Sequence, residues 1–259
     1  MTQGKGNAQN AAGKIYIDPV FLPAGDRGLL MEFADVIDPD VNTRIRAVAH
    51  ALAANMPKGV EEILPTYRSL ILVYDPMVTD PDHLIPVLKT VNTDLDNAPL
   101  PEPDVVELPV CYHESLAPDL AHVAEVNGLH PDEVIAIHTA PLYPIYMIGF
   151  TPGFPYLGGL SQKIHTPRLS TPRTHVPAGS VGIANNQTGI YPIDSPGGWQ
   201  LIGRTPLRLY NPEATPVTLI QAGVWIRFSP VSSEEYARIE KEVSQGSYVV
   251  ERREKEESS

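Results

Sequence analysis

The chain runs to 259 residues, enough to bury a sizeable core and, at roughly 150 residues per domain, to hold two domains. Its 19 basic against 31 acidic residues leave a formal net charge of −12; with no basic surplus to neutralise phosphates, broad binding to nucleic acid or to an anionic membrane surface is excluded. One cysteine, Cys111, excludes an intrachain disulfide and points to a reducing, cytoplasmic setting, while no apolar run approaches the roughly 18 residues that cross a bilayer.

In chain order, the polar and small residues 1–14 predict a flexible leader without the apolar stretch of a signal peptide. Ile15-Tyr16-Ile17, Val20-Phe21-Leu22 and residues 28–33 predict strand pieces broken at Pro23 and at the Gly25-Asp26 turn. Val41, Ile45, Val48 and Leu52 recur at helical spacing behind Asp38, which predicts an N-capped amphipathic helix over 39–56. Two strands follow at 60–67 and 69–74, then a helix capped by Asp80 with Leu84, Val87, Leu88 and Val91 on one face, then a strand at 105–112 in which Cys111 is expected as a buried, inert thiol. Strand, helix, two strands, helix, strand is the split β-α-β order of ferredoxin-like domains, and the last strand, although it follows the Pro-rich segment, is open to pairing either with this first sheet or within the second domain. The fold class expected is therefore α+β, with a ferredoxin-like domain over 15–98, a stiff Pro-rich linker over 99–104, a β-barrel domain over 105–230 and a C-terminal helix with a charged, frayed tail over 231–259.

Within the second domain, helices are expected at 117–127 and 131–138. Beyond them the backbone is specified turn by turn: residues 141–216 hold ten of the chain's 19 glycines and 12 of its 27 prolines. This density excludes a helix-rich region. The β-leaning pieces between the turns, at 146–148, 181–184, 189–191, 200–202 and 207–210, are the mark of a sandwich or small barrel, closed by strands at 217–220 and 224–228. Ser232-Ser233-Glu234-Glu235 then starts a short helix with capping-box character.

No phosphate-binding glycine loop, dinucleotide fingerprint or close histidine pair of metal-ligand spacing is present, so no metal is expected. Ser180 in AGSVG resembles a nucleophile elbow only loosely, and Ser195 in DSPGG reads as a turn residue. More telling is the gathering of Arg168, Arg173 and Arg204 with Asp194 and Gln187 in structured turns, because Arg presents a rigid fork for carboxylate or phosphate. Two readings stay open. Either these arginines tie loops together through carbonyls and Asp194, or they form an anion-binding surface in which Arg168, Arg173 and Gln187 hold substrate while Asp194 and Arg204 act catalytically. The aromatic residues Phe150, Phe154, Tyr156 and Trp199 form either an exposed partner-binding patch or barrel core.

Three stretches, GFTPGFPYLGGL (149–160), TPRLSTPRTHVPAGSVGIA (166–184) and QTGIYPIDSPGGWQLIGRTPLRLYNP (187–212), closely resemble the family of B-type subunits of prokaryotic ATP-dependent 5-oxoprolinase, also described as allophanate hydrolase subunit 1 or the sporulation kinase inhibitor type. The resemblance covers roughly residues 20–230 and implies a ferredoxin-like N-terminal domain followed by a cyclophilin-like β-barrel. It also implies a C-type partner (allophanate hydrolase subunit 2-like) and an A-type partner, with ATP and Mg²⁺ acting at the level of the complex and neither bound by this chain alone. That assembly opens 5-oxo-L-proline to L-glutamate, and the chain is expected to be inactive by itself. The family pattern departs at Gln221-Ala222-Gly223, which lacks the family's Asp, and at Asn185-Asn186, which replace paired glycines and tolerate left-handed backbone. Two other roles within the family are an inhibitor that binds a sensor histidine kinase and a component of a biotin-dependent carboxyltransferase.

Overall fold

A computed structural model describes residues 13–97 and 104–254. The chain divides into two compact units, Met1–Leu100 and Pro101–Ser259. Most of the expected leader and linker, and the last five residues, lie outside the described residues. No helix among the described residues is long and apolar enough to cross a membrane.

In the first unit, β1 (Ile15–Ala24) and β2 (Gly28–Ala34) form a hairpin turning at Gly25, whose φ of +70° suits glycine. Helix α1 (Pro39–Ala54) starts where Asp38 accepts the backbone N–H groups of Asp40 and Val41 at 2.9 and 3.0 Å, satisfying donors the first turn leaves orphaned. It buries Val41, Ile45, Val48 and Leu52, the face predicted. Strands β3 (Val60–Pro65) and β4 (Ser69–Tyr74) follow, then α2 (Pro81–Thr93), capped by Asp80 on the His83 N–H. Leu84 and Leu88 are buried on α2, but Val87 is exposed and Val91 half-buried.

The antiparallel sheet runs β1-β2-β4-β3. The strand at 105–112, which was open to completing it, lies in the second unit as the domain bounds have it, and β1 occupies the edge beside β2 instead. The physical reason is exposure. The later strand, β5 (Asp104–Cys111), is buried at every position after the first and needs cover on both faces. By contrast β1 is largely exposed and carries Pro19 and Pro23, which cannot donate to a ladder and suit an edge. For the same reason Pro23 does not break β1.

The second unit threads β5, then α3 (Leu120–Asn127) and α4 (Pro131–Thr139), then β6 (Tyr143–Ile148) and β7 (Pro155–Leu157). Next come β8 (Arg173–Val176), β9 (Ser180–Ala184), β10 (Gln187–Ile190), β11 (Ser195–Gly197), β12 (Gln200–Arg204) and β13 (Trp225–Val231). Seven of these strands close into a barrel in the order β12-β9-β10-β7-β6-β13-β5, with β5 returning to β12 at the Arg204–Cys111 pair. Closure removes the open edges that an unpaired sheet would expose. Strand β13 lies parallel to β5, while β8 and β11 make a separate two-stranded ribbon. Inside, Val106, Leu108, Val110, Ile145, Val181, Ile183, Ile190, Ile202 and Phe228 share one core with α3 and α4 residues. The chain is thus α+β with a barrel, as expected, and Cys111 is a buried thiol.

Two predicted strands differ. Residues 207–210 and 217–220 meet only through an isolated bridge between Tyr210 and Thr218, because Leu207 and Leu209 turn inward to seal the barrel rather than extend a ladder. The charged tail is not frayed throughout: after α5 (Ser233–Ser244), β14 (Arg252–Glu254) pairs antiparallel with the start of β5.

Candidate functional site

The turn between β8 and β9 is pressed against the loop after β12. Gly179 has φ +82°, and a Cβ there would stand 2.4 Å from the Thr205 carbonyl, so only glycine allows this approach. The approach places the Ala178 peptide between two charged side chains. Its N–H donates to Asp194 Oδ1 at 2.7 Å, and its carbonyl accepts from Arg204 Nε at 2.8 Å. Next to it, Ser180 donates its hydroxyl to the Pro177 carbonyl at 2.7 Å and is buried, the position of a turn residue rather than a nucleophile.

Asp194 and Arg204 line a cleft of about 480 Å³ together with Arg208, Tyr210, Tyr236 and Glu240. Tyr236 and Glu240 come from α5, where the Tyr236 hydroxyl donates to Glu240 Oε1 at 3.3 Å one turn away. Burial pushes the Tyr236 phenol up, and the Arg204 guanidinium beside it acts in the opposite direction. The cleft therefore combines two guanidiniums, two carboxylates and two phenols.

The other predicted site residues lie elsewhere, so the three arginines do not converge. Arg173 donates to Asp119 Oδ1 at 2.7 Å and to the Trp199 carbonyl at 3.4 Å. Asp119 uses its second oxygen on the Leu201 N–H at 2.6 Å, and its own N–H meets the Leu201 carbonyl at 2.9 Å. Both carboxylate oxygens are occupied, which is why Asp119 makes no side-chain cap on α3 despite standing at its start. Arg173 is thus a structural pin, as the loop-tying reading has it. Exposed Arg168 lies 5.9 Å over the Trp199 ring, a cation–π contact. Gln187 begins β10 opposite Ala184, across the turn in which Asn185 takes φ +53°. Sequence reasoning does not single out Asp119; its partners lie 54 and 82 positions away, and its only local signal is that of a helix start.

The aromatic set divides. Phe154 and Trp199 are buried, 2% and 6% exposed, and meet Tyr191 edge to face; Phe154 lies 5.4 Å from the Tyr191 ring and 5.5 Å from Trp199. They lie on barrel glycines: a Cβ on Gly189 would come within 3.0 Å of both rings. Phe154 and Trp199 are therefore core, not a partner surface. Tyr156 is half-buried, whereas Phe150, at 65% exposure and φ +66°, remains on the outside.

A further polar group has no signature in the sequence. His138 of α4 is fully buried inside the barrel, stacked on Phe228 at 4.5 Å. Its Nδ1 is 2.9 Å from the Tyr112 hydroxyl and its Nε2 is 3.0 Å from Thr188 Oγ1. Thr188 donates its own hydrogen to the Gly182 carbonyl at 3.0 Å, so it accepts from Nε2–H, and Nδ1 accepts from Tyr112. Burial pushes the imidazole down to about 3, keeping it neutral. Among the described residues no group of three or more His, Cys, Asp or Glu side chains is placed to hold a metal ion.

Residues 19–220 match the family described as carboxyltransferase domain, subdomain C and D. The B-type 5-oxoprolinase subunit of Bacillus subtilis (strain 168) is 42% identical over 222 residues, covering 82% of this chain and 92% of that protein. The crystal structure of TTHA0988 superposes with a TM-score of 0.73 at 37% identity, covering 80% of this chain and 41% of that one. This chain thus spans about two fifths of that solved chain. The Kluyveromyces lactis urea carboxylase structure, 19% identical, shares the fold over 93% of this chain and 25% of its own length, with a TM-score of 0.75. The chain belongs to the carboxyltransferase-domain family of subdomains C and D and, within it, to the family of B-type 5-oxoprolinase subunits.

Proposed function

We propose that this chain is the B-type subunit of an ATP-dependent 5-oxoprolinase, acting with A-type and C-type subunits to open 5-oxo-L-proline to L-glutamate. The observation that carries this reading is the likeness over 92% of the length of the B-type 5-oxoprolinase subunit of Bacillus subtilis. Opening a five-membered lactam is uphill near neutrality, so the reaction consumes ATP, and two waters are taken up for each glutamate, ADP and phosphate released. ATP with Mg²⁺ supplies activation of the lactam carbonyl. We assign nucleotide and Mg²⁺ to the partners. This chain contributes the Asp194–Ala178–Arg204 cleft to a site completed by those partners. Arg204 binds an anionic oxygen through its terminal amino groups, and Asp194 orients the ligand and holds the turn that carries Ala178. Phe150 is the one aromatic of the predicted partner patch that is largely exposed, and it is offered to a partner surface.

The test is 5-oxoproline-dependent ATP hydrolysis by the co-expressed subunits, with and without this chain. Activity that needs the chain, and falls at least about tenfold with a folded Arg204→Ala variant, supports the reading. Activity unaffected by omitting the chain rejects it. A second reading, carboxyl transfer within a biotin-dependent complex, is favoured by the fold shared with urea carboxylase. It predicts carboxyl exchange from carboxybiotin that depends on this chain and needs no 5-oxoproline.

A further inference from the structure

Helix α5 lies beyond residues 19–220, the stretch matched by the family, yet its Tyr236 and Glu240 form part of the cleft lining. Four charged side chains thus line one space: Arg204, Arg208, Asp194 and Glu240. Among the described residues none of the four is ion-paired with another, although other pairs in the same unit close well, as Arg173 does on Asp119 at 2.7 Å. Each arginine is tethered through Nε to a backbone carbonyl, Arg204 on Ala178 at 2.8 Å and Arg208 on Tyr210 at 3.2 Å. Their terminal amino groups have no protein partner among the described residues. Asp194 has one oxygen on Ala178 and the other 4.0 Å from His175. Among the described residues Glu240 accepts only the Tyr236 hydroxyl.

Charges of both signs that share a cleft but stand too far apart to pair leave room between them for a ligand. A plain anion gains from the arginines and is opposed by the carboxylates; a plain cation meets the reverse. A ligand carrying both signs satisfies both walls at once. We infer that the cleft binds an α-amino-acid zwitterion with a second carboxylate, Arg204 and Arg208 taking the carboxylates and Glu240 of α5 taking the ammonium group. The identity of that amino acid rests on the subunit reading above. Hydrolysis breaks the ring C–N bond, leaves a new carboxylate on carbon, and frees an amine that gains a proton. Ring-opened L-glutamate therefore carries this charge pattern, and the lactam, with one carboxylate and a neutral amide, does not. Tyr236, buried and bonded to Glu240, fixes the acidic wall that makes the distinction.

The test titrates the full chain, followed by heteronuclear NMR, with L-glutamate, with glutarate (the same two carboxylates and no amine) and with 5-oxo-L-proline. L-glutamate is expected to bind about tenfold more tightly than either. Glu240→Gln is expected to bring glutamate and glutarate to within about twofold of each other, Glu240→Asp to keep part of the preference, and Arg204→Ala to weaken both ligands about tenfold. Glutarate binding as well as glutamate, a preference untouched by Glu240→Gln, or no cleft response to any ligand at about 10 mM each overturns the inference. The subunit reading is judged apart. If the preference is absent while 5-oxoproline-dependent ATP hydrolysis still requires the chain, only the zwitterion site falls; if the preference is present but hydrolysis ignores the chain, the subunit reading falls.

Discussion

Arg173 and Arg204 lie in the same Gly/Pro-rich stretch, each on a strand and each half-buried, yet the barrel uses them in opposite ways. Arg173 is neutralised by Asp119, whose other oxygen clips the Leu201 backbone, so removing either partner leaves a poorly solvated charge or donor behind. Arg204 is held by one backbone carbonyl and keeps its charge for the cleft. A charge closed by a countercharge is scaffold, whereas a charge positioned by a backbone bond alone is available to a ligand.

The largest expected effect comes from breaking the scaffold side. Asp119→Ala removes the Arg173 partner and orphans the Leu201 N–H, and should lower unfolding free energy by about 3 kcal/mol in urea denaturation. A loss below about 1 kcal/mol would mean that Arg173 is not a pin.

His138 supplies a third case, a charge the barrel refuses. Its folded pKa, about 3, lies below the ordinary 6.5, so below pH 6.5 the unfolded chain takes up a proton that the fold does not. This contribution is complete above pH 6.5 and is lost as pH falls, by about 1.4 kcal/mol per pH unit and so roughly 2.5 kcal/mol between pH 6.5 and 4.5. His138→Gln should flatten this part of the stability–pH curve; an unchanged slope would remove His138 as the cause.

Gly179→Ala tests how the cleft is positioned. Left-handed backbone and the close approach to the Thr205 carbonyl should together cost about 2 kcal/mol, with NMR shifts at Ala178, Asp194 and Arg204. The smallest stability effect is expected for Arg204→Ala, within about 1 kcal/mol, because only one bond to a backbone carbonyl is lost. A melting temperature close to the parent alongside lost ligand binding would sharpen the contrast with Asp119→Ala, while equal destabilisation by both would erase it.

The helix starts were readable because their causes are local. Asp38, Asp80 and Ser232 cap amides two or three residues away, and the buried face of α1 recurs within its own turns. Likewise Asn185 could be expected in the left-handed region from its residue type, and it is found there. Strands of three or four residues, β7, β8 and β11, are too short to display a period among glycines and prolines. Asp194 and Arg204 could be singled out from their residue types and turn-rich setting; their joint hold on Ala178 and their company with Glu240 could not.

From the order of residues alone came the α+β class, the turn-dense barrel region, the capped helices and the family resemblance, because capping, helical periodicity and turn chemistry act over a few neighbouring residues. The folded chain was needed to decide that β5 joins the barrel rather than the first sheet, that Phe154 and Trp199 are core while Phe150 is exposed, and that Arg173 is paired while Arg204 is not. Those outcomes depend on which distant residue supplies cover or countercharge, as when Asp119 meets Arg173 54 positions on, and no local pattern carries that information.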